Sequence, residues 1–159
     1  MLRRILLKLS VFVIAVIIFS PAFTNAQKNT GTSVSYIQSQ DTNISGVVAE
    51  LTECKRKEGV LTVKIRFRNI SSSKVWFSID THHGSYDGFY VTAENKKYFI
   101  LRDSDGAPLA PKYLGDVHLE KDQTHSWWAK FPAPPPKVKK ISLVLPQVLP
   151  FEDIPITDQ

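Results

Sequence analysis

His125-Ser126-Trp127-Trp128-Ala129-Lys130-Phe131-Pro132 runs into Ala133-Pro134-Pro135-Pro136, and the reading of this stretch decides the fold. On a period of two, Trp127, Ala129 and Phe131 share one face, while Ser126, Trp128 and Lys130 share the other. A strand with one large apolar face belongs against a core, and proline ends it by removing backbone donors. Trp128 is then the tryptophan that a loop covers or that solvent reaches.

Working outward, the same period recurs on both sides. Leu61, Val63, Ile65 and Phe67 alternate with Thr62, Lys64, Arg66 and Arg68, which predicts a strand with one buried and one wet face. The basic row reads most simply as a solvated face that discourages edge pairing. Before it, Val47, Ala49, Leu51 and Glu53 alternate with Val48, Glu50, Thr52 and Cys54, and Lys55-Arg56-Lys57-Glu58-Gly59 reads as a polar turn. After it, Lys74 to Ile79 resumes a strand with Val75, Phe77 and Ile79 inward. Phe89 to Ala93 and Lys97 to Arg102 form a hairpin about Glu94-Asn95-Lys96. Val117 and Leu119 mark a short strand, Val138 to Leu145 a longer one, and residues 146–159 an extended, proline-broken tail.

No segment of the mature part carries an apolar stripe at helical spacing. Short strands with turn signals at intervals of about 8–12 residues predict an all-β domain, an antiparallel two-sheet immunoglobulin-like sandwich of about seven to nine strands. A closed barrel is the alternative.

The N-terminus reads differently. Met1 to Lys8 is basic, Leu9 to Phe19 is apolar except for Ser10, and Ser20 to Ala26 is short and small. That order is a secretory signal peptide, expected as a helix cut after Thr24-Asn25-Ala26. The expected organisation is a signal peptide over 1–26, a flexible linker rich in Ser, Thr, Asn and Gln over 27–44, a sandwich over 45–156 and a tail over 157–159. The expected location is periplasmic or secreted, with a membrane link only through an uncleaved signal sequence. Without Arg3, Arg4 and Lys8, 17 of the 20 basic residues remain against 15 acidic ones. A surface so near neutrality excludes general attraction to nucleic acid. Cys54 is the single cysteine, so an internal disulfide is excluded and a small apolar filler is expected.

Candidate chemistry is sparse. No C-x-x-C or H-E-x-x-H spacing, G-x-S-x-G elbow or glycine-rich phosphate loop occurs. Gly84-Ser85 beside His83 and Asp87 has the letters of a triad without its context. Asp103-Ser104-Asp105-Gly106 has its glycine too early for a calcium loop and reads as a turn. Pro134-Pro135-Pro136 reads as a rigid connection, and Asn43-Ile44-Ser45 and Asn69-Ile70-Ser71 are glycosylation sequons.

What remains is the loop Asp80-Thr81-His82-His83-Gly84-Ser85-Tyr86-Asp87-Gly88, continued by Phe89 and Tyr90. Aromatics beside glycines compose an adaptable binding loop, so His82, His83, Tyr86, Asp87, Phe89 and Tyr90 are the expected binding residues. The alternative for the same loop is that its aromatics fold back over the core.

The string Trp127-Trp128-Ala129-Lys130-Phe131-Pro132-Ala133-Pro134-Pro135, with Pro150-Phe151-Glu152-Asp153-Ile154-Pro155-Ile156 and the Thr62 to Asn69 strand with its serine turn, resembles exported bacterial telokin-like domains. That group includes secreted immunoprotective antigens. The resemblance spans roughly Ser45 to Ile156. It implies an immunoglobulin-like sandwich without catalytic residues or cofactor, which binds an envelope or extracellular protein or glycan. A metal-binding envelope protein using His82 and His83 is the alternative, although no metal site is expected from spacing.

Overall fold

In the computed structural model, residues 35–79, 86–112 and 114–159 are described. Eleven strands account for nearly all their regular structure: β1 (Gln38–Asp41), β2 (Val47–Lys57), β3 (Val60–Asn69), β4 (Val75–Phe77), β5 (Tyr90–Ala93), β6 (Lys96–Phe99), β7 (Val117–Leu119), β8 (Thr124–Pro132), β9 (Lys140–Val144), β10 (Phe151–Pro155) and β11 (Thr157–Asp158). The described chain is all-β, as alternation predicts. The expected signal-peptide helix lies outside the described residues.

One sheet has the order β1-β2-β3-β8, with β11 added to β2, and the second has the order β10-β9-β5-β6. A two-stranded ladder, β4-β7, stands apart. All pairings are antiparallel except β11 with β2. The inner faces of both sheets join in one core cluster. β3 supplies Leu61, Val63, Ile65 and Phe67, and β8 supplies Trp127, Ala129 and Phe131, each at most 1% exposed. Trp128, on the opposite face, is 39% exposed. Backbone hydrogen bonds also tie the sheets together at both sides. Leu101 N donates to Lys130 O at 2.8 Å and Lys130 N to Leu109 O at 3.0 Å; opposite, Leu149 N donates to Asp41 O at 3.0 Å and Asn43 N to Gln147 O at 2.8 Å. These bonds occupy edge groups that would otherwise invite another strand.

Several boundaries differ from expectation. The linker expected over 27–44 contains β1, whose backbone pairs with Val48 to Leu51 although its side chains are polar. Ladder bonds need no apolar side chain, so composition cannot see such a strand. The extended tail likewise folds back as β10 and β11, the latter inside the segment 157–159. The expected five-residue polar turn is shorter: β2 runs to Lys57, and Glu58-Gly59 alone turns the chain with both φ positive, at 49° and 77°.

A bulge between Leu51 and Glu53 rephases β2. Before it Ala49 and Leu51 face inward; after it Cys54 and Arg56 do, opposite Val63 and Leu61. The Asn69 sequon is unavailable as well. Its side chain is fully buried, donates to Ser73 O and Leu119 O, and accepts from the Ser71 amide and hydroxyl.

The basic row of β3 is balanced by β2. Glu50 is 1% exposed; one oxygen accepts from Arg66 Nε at 2.7 Å and the other from Arg68 Nε at 2.8 Å. Lys64 pairs with Glu53 at 3.3 Å. Glu50→Gln leaves two guanidinium groups facing one neutral amide. It is expected to cost roughly 1–3 kcal/mol. An unchanged urea midpoint would show that the arginines find water instead.

Candidate functional site

Of the six residues expected to form a binding loop, the four that are described, Tyr86, Asp87, Phe89 and Tyr90, do not form one surface. Phe89 N donates to Tyr86 O at 2.9 Å, closing a turn that sends both rings inward. A side chain at Gly88 would meet Pro146 Cγ at 2.9 Å, so only glycine lets this turn sit so close. Tyr86 and Phe89 are 2% and 1% exposed, which corrects the expectation that they offer contact surface. They pack on Trp127, with ring centroids 6.1 and 5.5 Å from it. The Tyr86 hydroxyl donates to Pro111 O at 2.6 Å and accepts from Trp127 Nε1 at 3.4 Å, and its burial pushes the phenol pKa upward. An aromatic at the end of a loop buries more apolar area against a tryptophan than it would in water. Asp87 is exposed beside Arg102, 3.6 Å away. His82 and His83 lie outside the described residues. Among the described members of the set, Tyr90 reaches an exposed sheet face.

That face belongs to the second sheet. β5 pairs with β9 only through Tyr90–Val144, Val91–Leu143 and Thr92–Ser142, and with β6 through Tyr90–Phe99 and Thr92–Lys97. Val91, Ala93, Ile141 and Leu143 are buried, so their neighbours Tyr90, Thr92, Lys97, Phe99 and Ser142 turn outward. The hairpin turn Glu94-Asn95 has both φ positive, at 48° and 60°, the twist that suits a two-residue turn.

Where the β5–β9 ladder ends at Thr92–Ser142, the hairpin tip and β9 separate. The gap is a groove of about 520 Å³. Its walls are Thr92 to Lys97 on one side and Lys140 to Ser142 on the other, with Asp153 from β10 at the end. Asp153 reaches it because β10 bulges between Phe151 and Ile154, where Asp153 takes a φ of 53°. The volume falls in the range of small-ligand sites.

The electrostatics are uneven. Asp153 pairs with Lys140 at 3.4 Å, and Glu94 pairs with Lys137 at 3.0 Å. Both carboxylates of the groove are therefore countered. Lys97 instead places its ammonium 4.2 Å from the Tyr90 ring centroid, and Tyr90 packs against Phe99 at 6.0 Å. The ring quadrupole holds the ammonium without neutralising it. Phe99 is 51% exposed.

Other candidates resolve as structure. Asp103 Oδ1 accepts from the amides of Asp105 and Ala107, a turn as expected. Burial pushes the Cys54 thiol up to about 12, so at neutral pH it is the protonated apolar filler the sequence predicts. Among the described residues, no group of three or more His, Cys, Asp or Glu is placed to hold a metal ion.

Sequence reasoning missed Thr92, Lys97, Phe99, Lys140, Ser142 and Asp153. A signal existed for Lys140 and Ser142, which alternate with the apolar Ile141 and Leu143, whereas Asp153 fell in the stretch read as an extended tail. What the sequence lacks is the pairing of β5 with β9, about 50 residues away. No family model matches the chain, and comparisons with curated proteins and with solved structures find no match either.

Proposed function

We propose that this chain is an exported, non-enzymatic binding module of the bacterial cell envelope, its sheets arranged in an immunoglobulin-like sandwich, acting in the periplasm or outside the cell. The resemblance of the Trp127 to Pro135 string to exported telokin-like domains and the signal-like order of residues 1–26 support export. The single observation that carries the binding role is the groove at the end of the β5–β9 ladder, lined by Lys97, with the exposed Phe99 ring one pairing row away on the same sheet face. Rigid strands hold both walls, which is how a binding site keeps its geometry.

A photo-crosslinking residue introduced at Phe99 tests this reading, with a control at Trp128 on the opposite sheet. Crosslinking to envelope material in intact cells is expected at Phe99 and not at Trp128. Equal labelling at the two positions, or none at Phe99, would exclude the groove as the contact surface.

A further inference from the structure

We infer that the groove takes a sugar unit bearing a carboxylate, as part of an acidic glycan. This rests on the binding-module reading and narrows it to one ligand chemistry.

Three features converge. First, the groove displays donors and acceptors in a row across the sheet: the Lys97 ammonium, the Thr92 hydroxyl, the Ser142 hydroxyl and the Asp153 carboxylate, with Asn95 at the hairpin tip. A polyhydroxylated ligand, which donates and accepts at every ring position, can pair with such a row, whereas a lipid tail cannot. Second, the half-exposed ring of Phe99 stands beside the row and can cover the apolar face of a pyranose. Tyr90 cannot do this on the side where Lys97 lies over it; its role is to position that ammonium. Third, charge favours an anion. Glu94 and Asp153 are already paired with Lys137 and Lys140, while Lys97 sits on a ring and Lys96 has no carboxylate within ion-pair distance among the described residues. An approaching carboxylate meets uncompensated ammonium groups at the hairpin end, and its Coulomb attraction there is salt-dependent.

The Thr92 and Ser142 hydroxyls in an open groove also separate this site from one built for an anionic membrane, for which apolar side chains would project outward from basic surroundings. The volume of the groove admits one or two sugar rings.

The test is calorimetric titration of the chain with oligogalacturonate and with a hyaluronan fragment. Methyl-esterified oligogalacturonate and phosphatidylglycerol vesicles serve as comparisons. At least one acidic oligomer is expected to bind, and esterification should weaken oligogalacturonate tenfold or more. Phe99→Ala and Lys97→Ala should each lose at least tenfold in affinity, with Lys97→Arg retaining most of it. Unfolding midpoints of the variants, measured alongside, confirm that the fold is kept. Equal binding of acid and ester, vesicle binding indifferent to Phe99→Ala, or no binding of either acidic oligomer would each overturn the inference. If the acidic oligomers fail while crosslinking at Phe99 persists, the ligand class is wrong and the binding role stands. Loss of both removes the site.

Discussion

Trp127→Ala is expected to cost about 3–5 kcal/mol of stability, the range for deleting a buried tryptophan. The ring is 1% exposed and lies at the centre of an aromatic cluster with Tyr86 and Phe89. Its removal opens a cavity beneath the Tyr86–Phe89 turn and takes away the indole donor to the Tyr86 hydroxyl. The cavity cannot collapse easily, because the Tyr86 hydroxyl remains anchored on Pro111 O. A fall in melting temperature on the order of 10 °C follows. Trp128→Ala, one residue along and 39% exposed, is expected to cost about 1 kcal/mol or less. Equal losses for the two variants in urea titrations would contradict the assignment of faces on β8.

Arg56→Met is expected to be nearly as damaging, at roughly 3 kcal/mol. The Arg56 side chain is 8% exposed, and its Nη1 lies 3.1 Å from Pro134 O, 2.9 Å from Pro135 O and 3.1 Å from Val138 O. Nη2 donates to Pro136 O at 3.3 Å, and Nε to Asp158 Oδ1 at 2.6 Å. One guanidinium thus satisfies the carbonyls that the Pro134-Pro135-Pro136 run turns inward, and it ties β11 to β2. Proline supplies carbonyls and no amides, so the segment cannot satisfy them itself. Methionine fills the volume but leaves the Pro134 and Val138 carbonyls buried without a partner. Arg56→Lys should recover only part of the loss, since an ammonium cannot span the fork. An m-value unchanged beside a lowered urea midpoint would confirm a loss confined to the folded state.

The same clamp carries a pH dependence. Hydrogen bonds from Arg56 and Lys139 hold the Asp158 carboxyl down at about 2, below its ordinary value. A depressed carboxylate favours folding above its unfolded pKa, and that contribution is lost as pH falls through the folded value. β11 is therefore expected to stay docked at pH 4 and to release as pH approaches 2. The Gln159 amide, which donates to Arg56 O at 3.0 Å, reports this by its NMR shift. In Arg56→Met the shift should move at higher pH. An identical profile in both proteins would remove Arg56 from the explanation.

These residues show what could be read in advance. Leu61 to Phe67 and Trp127 to Phe131 were legible because strict alternation admits one buried face. Arg56 was not, because one inserted residue at Thr52 inverts the phase of everything after it on β2. Counting by two from Val47 places Glu53 inward and Arg56 outward; the bulge does the reverse. Glu50 was equally hidden, since a carboxylate on the wet face becomes buried only when arginines from the next strand close over it. The inward turn of Tyr86 and Phe89 was hidden for another reason. Aromatics beside glycines fit an exposed loop and a loop folded on the core alike, and only the space above Trp127 decides between them.

By itself the sequence determined the all-β class, the faces of its clearest strands and the strand stop at the prolines. These follow from local rules of period, turn and backbone donor. Tertiary structure alone decided that β5 lies beside β9, that the β10 bulge carries Asp153 to the groove, and that Tyr86 and Phe89 turn inward. Each is a contact between distant residues, set by how two sheets close on one core and carrying no periodicity along the chain.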